Sequence, residues 1–142
     1  MAIRQTYRLN PQDLGQPRGI GVSVLYNNGT NVFNTTSTTA DQVKSNLINY
    51  LLTNKGERLY DPAFGGDVKR AIFEQADLTS FENIISRLEI EIPVYIPGII
   101  LRDINFKLQP DYNLVTIIID YTINQQNNQL SINLTTNNLV NY

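Results

Sequence analysis

The stretch Asn46-Leu47-Ile48-Asn49-Tyr50-Leu51-Leu52-Thr53-Asn54-Lys55-Gly56-Glu57-Arg58, continuing through Tyr60-Asp61-Pro62-Ala63-Phe64-Gly65-Gly66-Asp67, reads as a helix, an abrupt stop and a loop. A second short helix follows from Val68 to Glu74. Ala40, Val43, Leu47, Tyr50 and Leu51 recur at helical spacing, and Ile48 and Leu52 widen the stripe. Thr39 with Gln42 forms a capping box ahead of it. Lys55 falls in the last turn and Gly56 just beyond, as helix C-termini prefer. Asp61 before Pro62 starts a turn, Gly65-Gly66 makes a tight one, and Asp67 caps the second helix. Local rules leave three residues over. Glu57 suits a loop ion pair with Arg58, and Arg58 suits a buried or interfacial ion pair. Phe64, between two breakers, anchors the loop in the core or, alternatively, in a partner.

Upstream, residues 1–18 carry Pro11, Gly15 and Pro17 with little apolar periodicity, and read as an extended arm. Ile20, Val22, Val24 and Tyr26 then alternate with smaller or opposite-facing residues. Asn28-Gly29 suits a type I′ turn, with Asn31-Val32-Phe33 as the return strand of a β-hairpin. Downstream, Thr79 and Glu82 form a second capping box. Phe81, Ile84, Ile85, Leu88 and Ile92 give that helix an apolar face, and Pro93 and Pro97 end it.

From Ile99 the period changes to two. Ile104, Phe106 and Leu108 form one strand face, and Val115, Ile117, Ile119, Tyr121 and Ile123 the next. A turn through Gln126-Asn127-Asn128 leads to Leu130, Ile132 and Leu134. The fold class is α+β: an N-terminal hairpin, two to three helices, and a C-terminal three-stranded antiparallel meander packed on the helices. Residues 19–142 form one domain after the arm. The last strand, Leu130-Ser131-Ile132-Asn133-Leu134-Thr135, has no charge or proline to guard its edge, which suits strand addition by a partner. Residues 136–142 or the hairpin could instead cover it.

Composition narrows the chemistry. The chain has no histidine and no cysteine. That removes the usual general base, Ser-His and Cys-His nucleophiles, disulfides and thiolate metal sites. Net charge is −2 with no basic stripe, which argues against nucleic-acid binding. No apolar run serves as a signal peptide or spans a bilayer, so a soluble protein of a reducing compartment is expected. No cofactor or metal motif is present, since the Asp61–Asp67 loop lacks alternating oxygen ligands. Glu57, Asp61, Asp67 and Glu74 are the carboxylates left for acid-base work. A glycosidase would need two of them about 5–9 Å apart across a cleft.

At this loop the sequence resembles the small baseplate wedge protein of contractile-tailed phages, shared with the baseplate subunit of type VI secretion systems. Residues 46–58 carry the match, then Asp61 to Gly66, then Ile72-Phe73-Glu74. Family members commonly carry Glu-Pro-Arg after the long helix, where this chain has Ile96-Pro97-Gly98. The resemblance implies a structural, non-enzymatic subunit of the virion tail baseplate, assembled in the host cytoplasm. It implies docking on other wedge proteins and the central hub through Lys55, Gly56, Glu57, Arg58, Pro62, Phe64 and Gly65. It further implies six copies per baseplate, monomeric when free, that start tail sheath assembly by strand addition at residues 130–135. Some relatives carry the name tail lysozyme, so a lysozyme-like glycoside hydrolase is the enzyme alternative. A binding module unrelated to tails is a third class.

Overall fold

In a computed structural model of the chain, the described residues are 19–23, 35–73, 78–109, 114–135 and 139–141. Two short strands come first, β1 (Gly21–Val22) and β2 (Thr35–Thr36). The helices are α1 (Thr39–Leu52), α2 (Val68–Phe73) and α3 (Leu78–Tyr95). The strands β3 (Ile100–Gln109), β4 (Leu114–Ile123), β5 (Gln126–Thr135) and β6 (Leu139–Asn141) follow. The expected α+β class and element order hold. The arm at 1–18 and the Asn28-Gly29 turn with its return strand at 31–33 lie outside the described residues. Within them, β1 pairs with Thr35-Thr36, residues that sequence reading treats as a polar run before the helix.

α1 begins one residue earlier than the Thr39 capping box implies. Thr38 is extended (φ −115°, ψ 150°), and its hydroxyl accepts from the Asp41 amide at 3.2 Å. The same hydroxyl donates to the Asp41 carboxylate at 2.7 Å. An acid in the first turn also meets the positive end of the helix dipole, which favours this pair over Thr39 with Gln42. Gln42 instead donates to Asn46 at 2.8 Å. α3 likewise starts before Thr79 and runs through Pro93. Pro93 is exposed, and the ladder resumes with Ile96 N–H donating to the Ile92 carbonyl at 2.8 Å. The chain turns away only at Gly98, whose φ of 90° needs glycine.

The four long and short strands form one antiparallel sheet in the order β3-β4-β5-β6. Ile104 faces Ile119 across β3 and β4, and Ile119 faces Leu130 across β4 and β5. Every second residue of β4 from Val115 to Ile123 is buried, as are Leu130, Ile132 and Leu134. That face packs on Leu47, Ile48 and Leu51 of α1 and on Leu88 and Ile92 of α3 in one core. The β4–β5 connection is tighter than expected. Asn124 (φ 50°) and Gln125 (φ 65°) form a two-residue turn, and Gln126 already pairs with Ile123. Positive φ at both residues matches the right-handed strand twist.

One correction concerns the sheet's edge. β5 is not the last strand, because β6 pairs with Asn133 and Leu134 across a register shift. Among the described residues, residues 126–132 of β5 have no strand partner on that side. The opposite edge, β3, carries Arg102, Asp103 and Lys107 and a bulge between Leu101 and Asp103, devices that discourage pairing.

Candidate docking site

The loop between α1 and α2 is built around rings. Phe64 is buried, its ring 5.1 Å from Tyr50 at 87° and 5.3 Å from Tyr95 at 81°. Tyr50 and Tyr95 lie 5.4 Å apart. These edge-to-face contacts favour the ring quadrupoles as well as burying area. Phe64 is therefore the loop's inward anchor, and the alternative of an exposed anchor falls. Arg58 lies over its outer face, the guanidinium carbon 3.4 Å from the ring centroid. The expected Glu57–Arg58 ion pair is absent. The Glu57 carboxylate accepts instead from the Asn54 amide at 3.0 Å and from its side chain at 2.7 Å. That arrangement gives the Asn54 backbone N–H, just past the C-terminus of α1, a carboxylate acceptor.

Lys55 is also not the helix punctuation that its position suggests. Its ammonium donates to Glu91 Oε1 of α3 at 2.6 Å. The other Glu91 oxygen accepts from the Tyr50 hydroxyl at 2.6 Å. Arg87 sits one turn earlier, its Nε 3.9 Å from Glu91, and donates from Nη2 to the Gly66 carbonyl at 2.7 Å. Burial alone would raise the Glu91 carboxyl. Hydrogen bonds from Lys55 and Tyr50 and the charges of Lys55 and Arg87 outweigh it, holding the group below its ordinary range. Burial, and then the Glu91 hydrogen bond and charge, push the Tyr50 phenol well above its usual value. Sequence reading missed Glu91 and Arg87. Their four-residue spacing on one helix face was the available signal.

The backbone closes the loop. Gly56 (φ 88°) donates to the Pro62 carbonyl at 2.8 Å, and Gly66 to the Tyr50 carbonyl at 2.8 Å. Gly65 has φ 132°, and a Cβ there would lie 2.6 Å from the Thr53 carbonyl oxygen. Asp67 is no N-cap: its φ is 58°, where caps are extended, and its amide bonds Thr53 O at 3.3 Å. The brace thus joins Lys55, Gly56, Glu57, Arg58, Pro62, Phe64 and Gly65 into one unit. At its tip, Leu59 and Tyr60 are exposed. Residues 130–135, where strand addition is expected from the sequence, lie elsewhere, on β5, with Leu130, Ile132 and Leu134 turned into the core and Ser131 outward.

Of the carboxylates considered for catalysis, Glu57 is spent on Asn54, Asp67 is held by its backbone amide on the Thr53 carbonyl with Oδ1 buried, and Glu74 lies outside the described residues. Among the described residues no group of three or more acids could hold a metal. No described helix is long and apolar enough to cross a membrane. At Ile96-Pro97-Gly98, Ile96 is buried in the core and Gly98 turns the chain, so the turn presents no charge.

The model of the family described as baseplate wedge protein gp25 matches residues 37–128, which contain the loop, all three helices and most of the sheet. The chain belongs to the baseplate wedge protein gp25 family. It is accordingly a baseplate component of a phage-like tail, in a family whose role is structural. Two of the solved structures that match share the fold of this wedge protein. One is the anti-feeding prophage baseplate, with 22% identity and a TM-score of 0.55, covering 66% of this chain and 74% of that one. The other comes from Geobacter sulfurreducens and is provisionally named a tail lysozyme. It shows 17% identity and a TM-score of 0.53, covering 72% of this chain and 95% of that one. A comparison with curated protein sequences finds no match.

Proposed function

We propose that this wedge protein docks on neighbouring wedge proteins and the central hub through its braced loop, and starts tail sheath assembly at the outer edge of its sheet. The observation that carries the docking half is the loop itself. Lys55–Glu91, Arg58–Phe64 and Gly56–Pro62 hold a tip whose Leu59 and Tyr60 are exposed and pack on no other described residue. A rigid tip loses little entropy on binding. In this reading six copies, each monomeric when free, stand around the six-fold axis of a baseplate like that of the prophage relative. They belong to a virion tail assembled in the host cytoplasm.

For the sheath half, among the described residues β6 occupies the edge only at Asn133 and Leu134. A three-residue strand with a register shift holds weakly, so a sheath strand displaces it and pairs along β5. Truncation after Thr135 removes β6 and keeps the buried Leu130, Ile132 and Leu134. Baseplates carrying the truncated chain should capture sheath protein at least as well as wild type in a pull-down. Loss of capture would show that β6 is itself the recruiting strand, and failure of wild type to capture sheath would refute strand addition. The same preparation is expected to release no peptidoglycan fragments; turnover abolished by Glu57→Gln would favour the hydrolase instead.

A further inference from the structure

Leu59 is 91% exposed and Tyr60 100% exposed, side by side on a loop that is otherwise fully braced. Isolated exposed apolar residues are ordinary, but two adjacent ones at the tip of a rigid loop are not required by its turn chemistry. The backbone there is set by Gly56, Pro62 and the Phe64 amide, which donates to the Asp61 carbonyl at 3.1 Å. Any polar pair would serve the fold equally. Tyrosine offers a large amphipathic surface with few rotamers to lose, as interface anchors do.

The neighbouring charge narrows the partner. Arg58 lies over the Phe64 ring, and its guanidinium has no hydrogen-bond acceptor among the described residues, Glu57 being engaged with Asn54. A planar, pre-oriented fork of donors suits a carboxylate. We infer that Leu59 and Tyr60 insert into an apolar socket on another baseplate protein, beside which a carboxylate of that protein meets Arg58. This rests on the docking reading above and names the residues that make it.

A lipid surface fits less well. The tip mixes Glu57 and Asp61 with Arg58 and has no basic cluster to draw anionic headgroups. A second copy of this chain also fits less well. The groove at Pro93 and Ile100 is lined by Glu89 and Asp103 but also by Arg102, which weakens the match to Arg58. A tip-to-groove contact between copies is also head-to-tail, and would drive free protein into open chains or rings.

The test uses full-length protein and a wedge complex assembled without it. Wild type, the double variant Leu59→Ser/Tyr60→Ser, and Arg58→Ala are titrated onto that complex at low and high salt. The double variant should keep its melting temperature within about 2 °C, since both side chains are in water, and bind at least about tenfold more weakly. Arg58→Ala should bind more weakly at low salt and lose most of the salt dependence. Unchanged affinity in the double variant would overturn the inference. So would wild-type binding to phosphatidylglycerol vesicles, or self-association in sedimentation, that the double variant loses. Wild type that fails to bind the wedge complex would instead overturn the docking reading itself.

Discussion

Gly65→Ala is expected to lower stability by about 3–4 kcal/mol, the sum of a forbidden backbone conformation and a steric clash. The φ of 132° lies where only glycine is comfortable. The added methyl would sit 2.6 Å from the Thr53 carbonyl oxygen, which is backbone and cannot swing aside. That region also receives the Asp67 amide and lies beside the Gly66–Tyr50 hydrogen bond. The strain therefore reaches α1, Phe64 and α2 together. Chemical denaturation with the slope monitored would measure it. A loss below about 1 kcal/mol would mean that the loop relaxes freely and is not the rigid unit described.

Glu91→Ala is expected to cost about 2–3 kcal/mol, because it strands two donors at once. The Tyr50 hydroxyl belongs to a wholly buried side chain and the Lys55 ammonium to a half-buried one. Glu91→Gln should cost less, since it keeps an acceptor for Tyr50. The pH dependence carries a sign. The folded carboxyl titrates below the ordinary 4.5, so its contribution is complete above about pH 4.5 and fades as pH falls through the depressed value. The stability gap between wild type and Glu91→Gln should shrink on acidification in that window. A gap that stays constant would show that the ion pair with Lys55 contributes nothing.

Much of the fold was legible because it depends on periodicity. The alternation in β4 and β5 and the stripe of α1 predict the buried faces directly, since a one-residue slip would turn a whole face to water. The elements misread depend on choices between chemically similar neighbours or on distant pairing. Thr38 and Thr39 both suit a cap, and the acid at Asp41 decides. Asn124-Gln125 makes the turn within a run of Asn and Gln that offers several. β6 contacts β5 through backbone, which composition does not reveal. At the site, Lys55 and Gly56 looked like helix punctuation because the true partner of Lys55 is 36 positions away on α3. Leu59 and Tyr60 drew no notice because local rules explain residues by what they touch in their own chain.

Contact surfaces at the braced loop and the outer edge of β5 should lose solvent access when the baseplate assembles. Amide hydrogen exchange, compared between the free protein and the same protein within purified tails, measures this most directly. Amides of residues 56–61 and 126–132 should slow markedly on assembly, while the buried core of α1 and β4 changes little. Equal exchange at both segments in the free and assembled states would contradict both contacts.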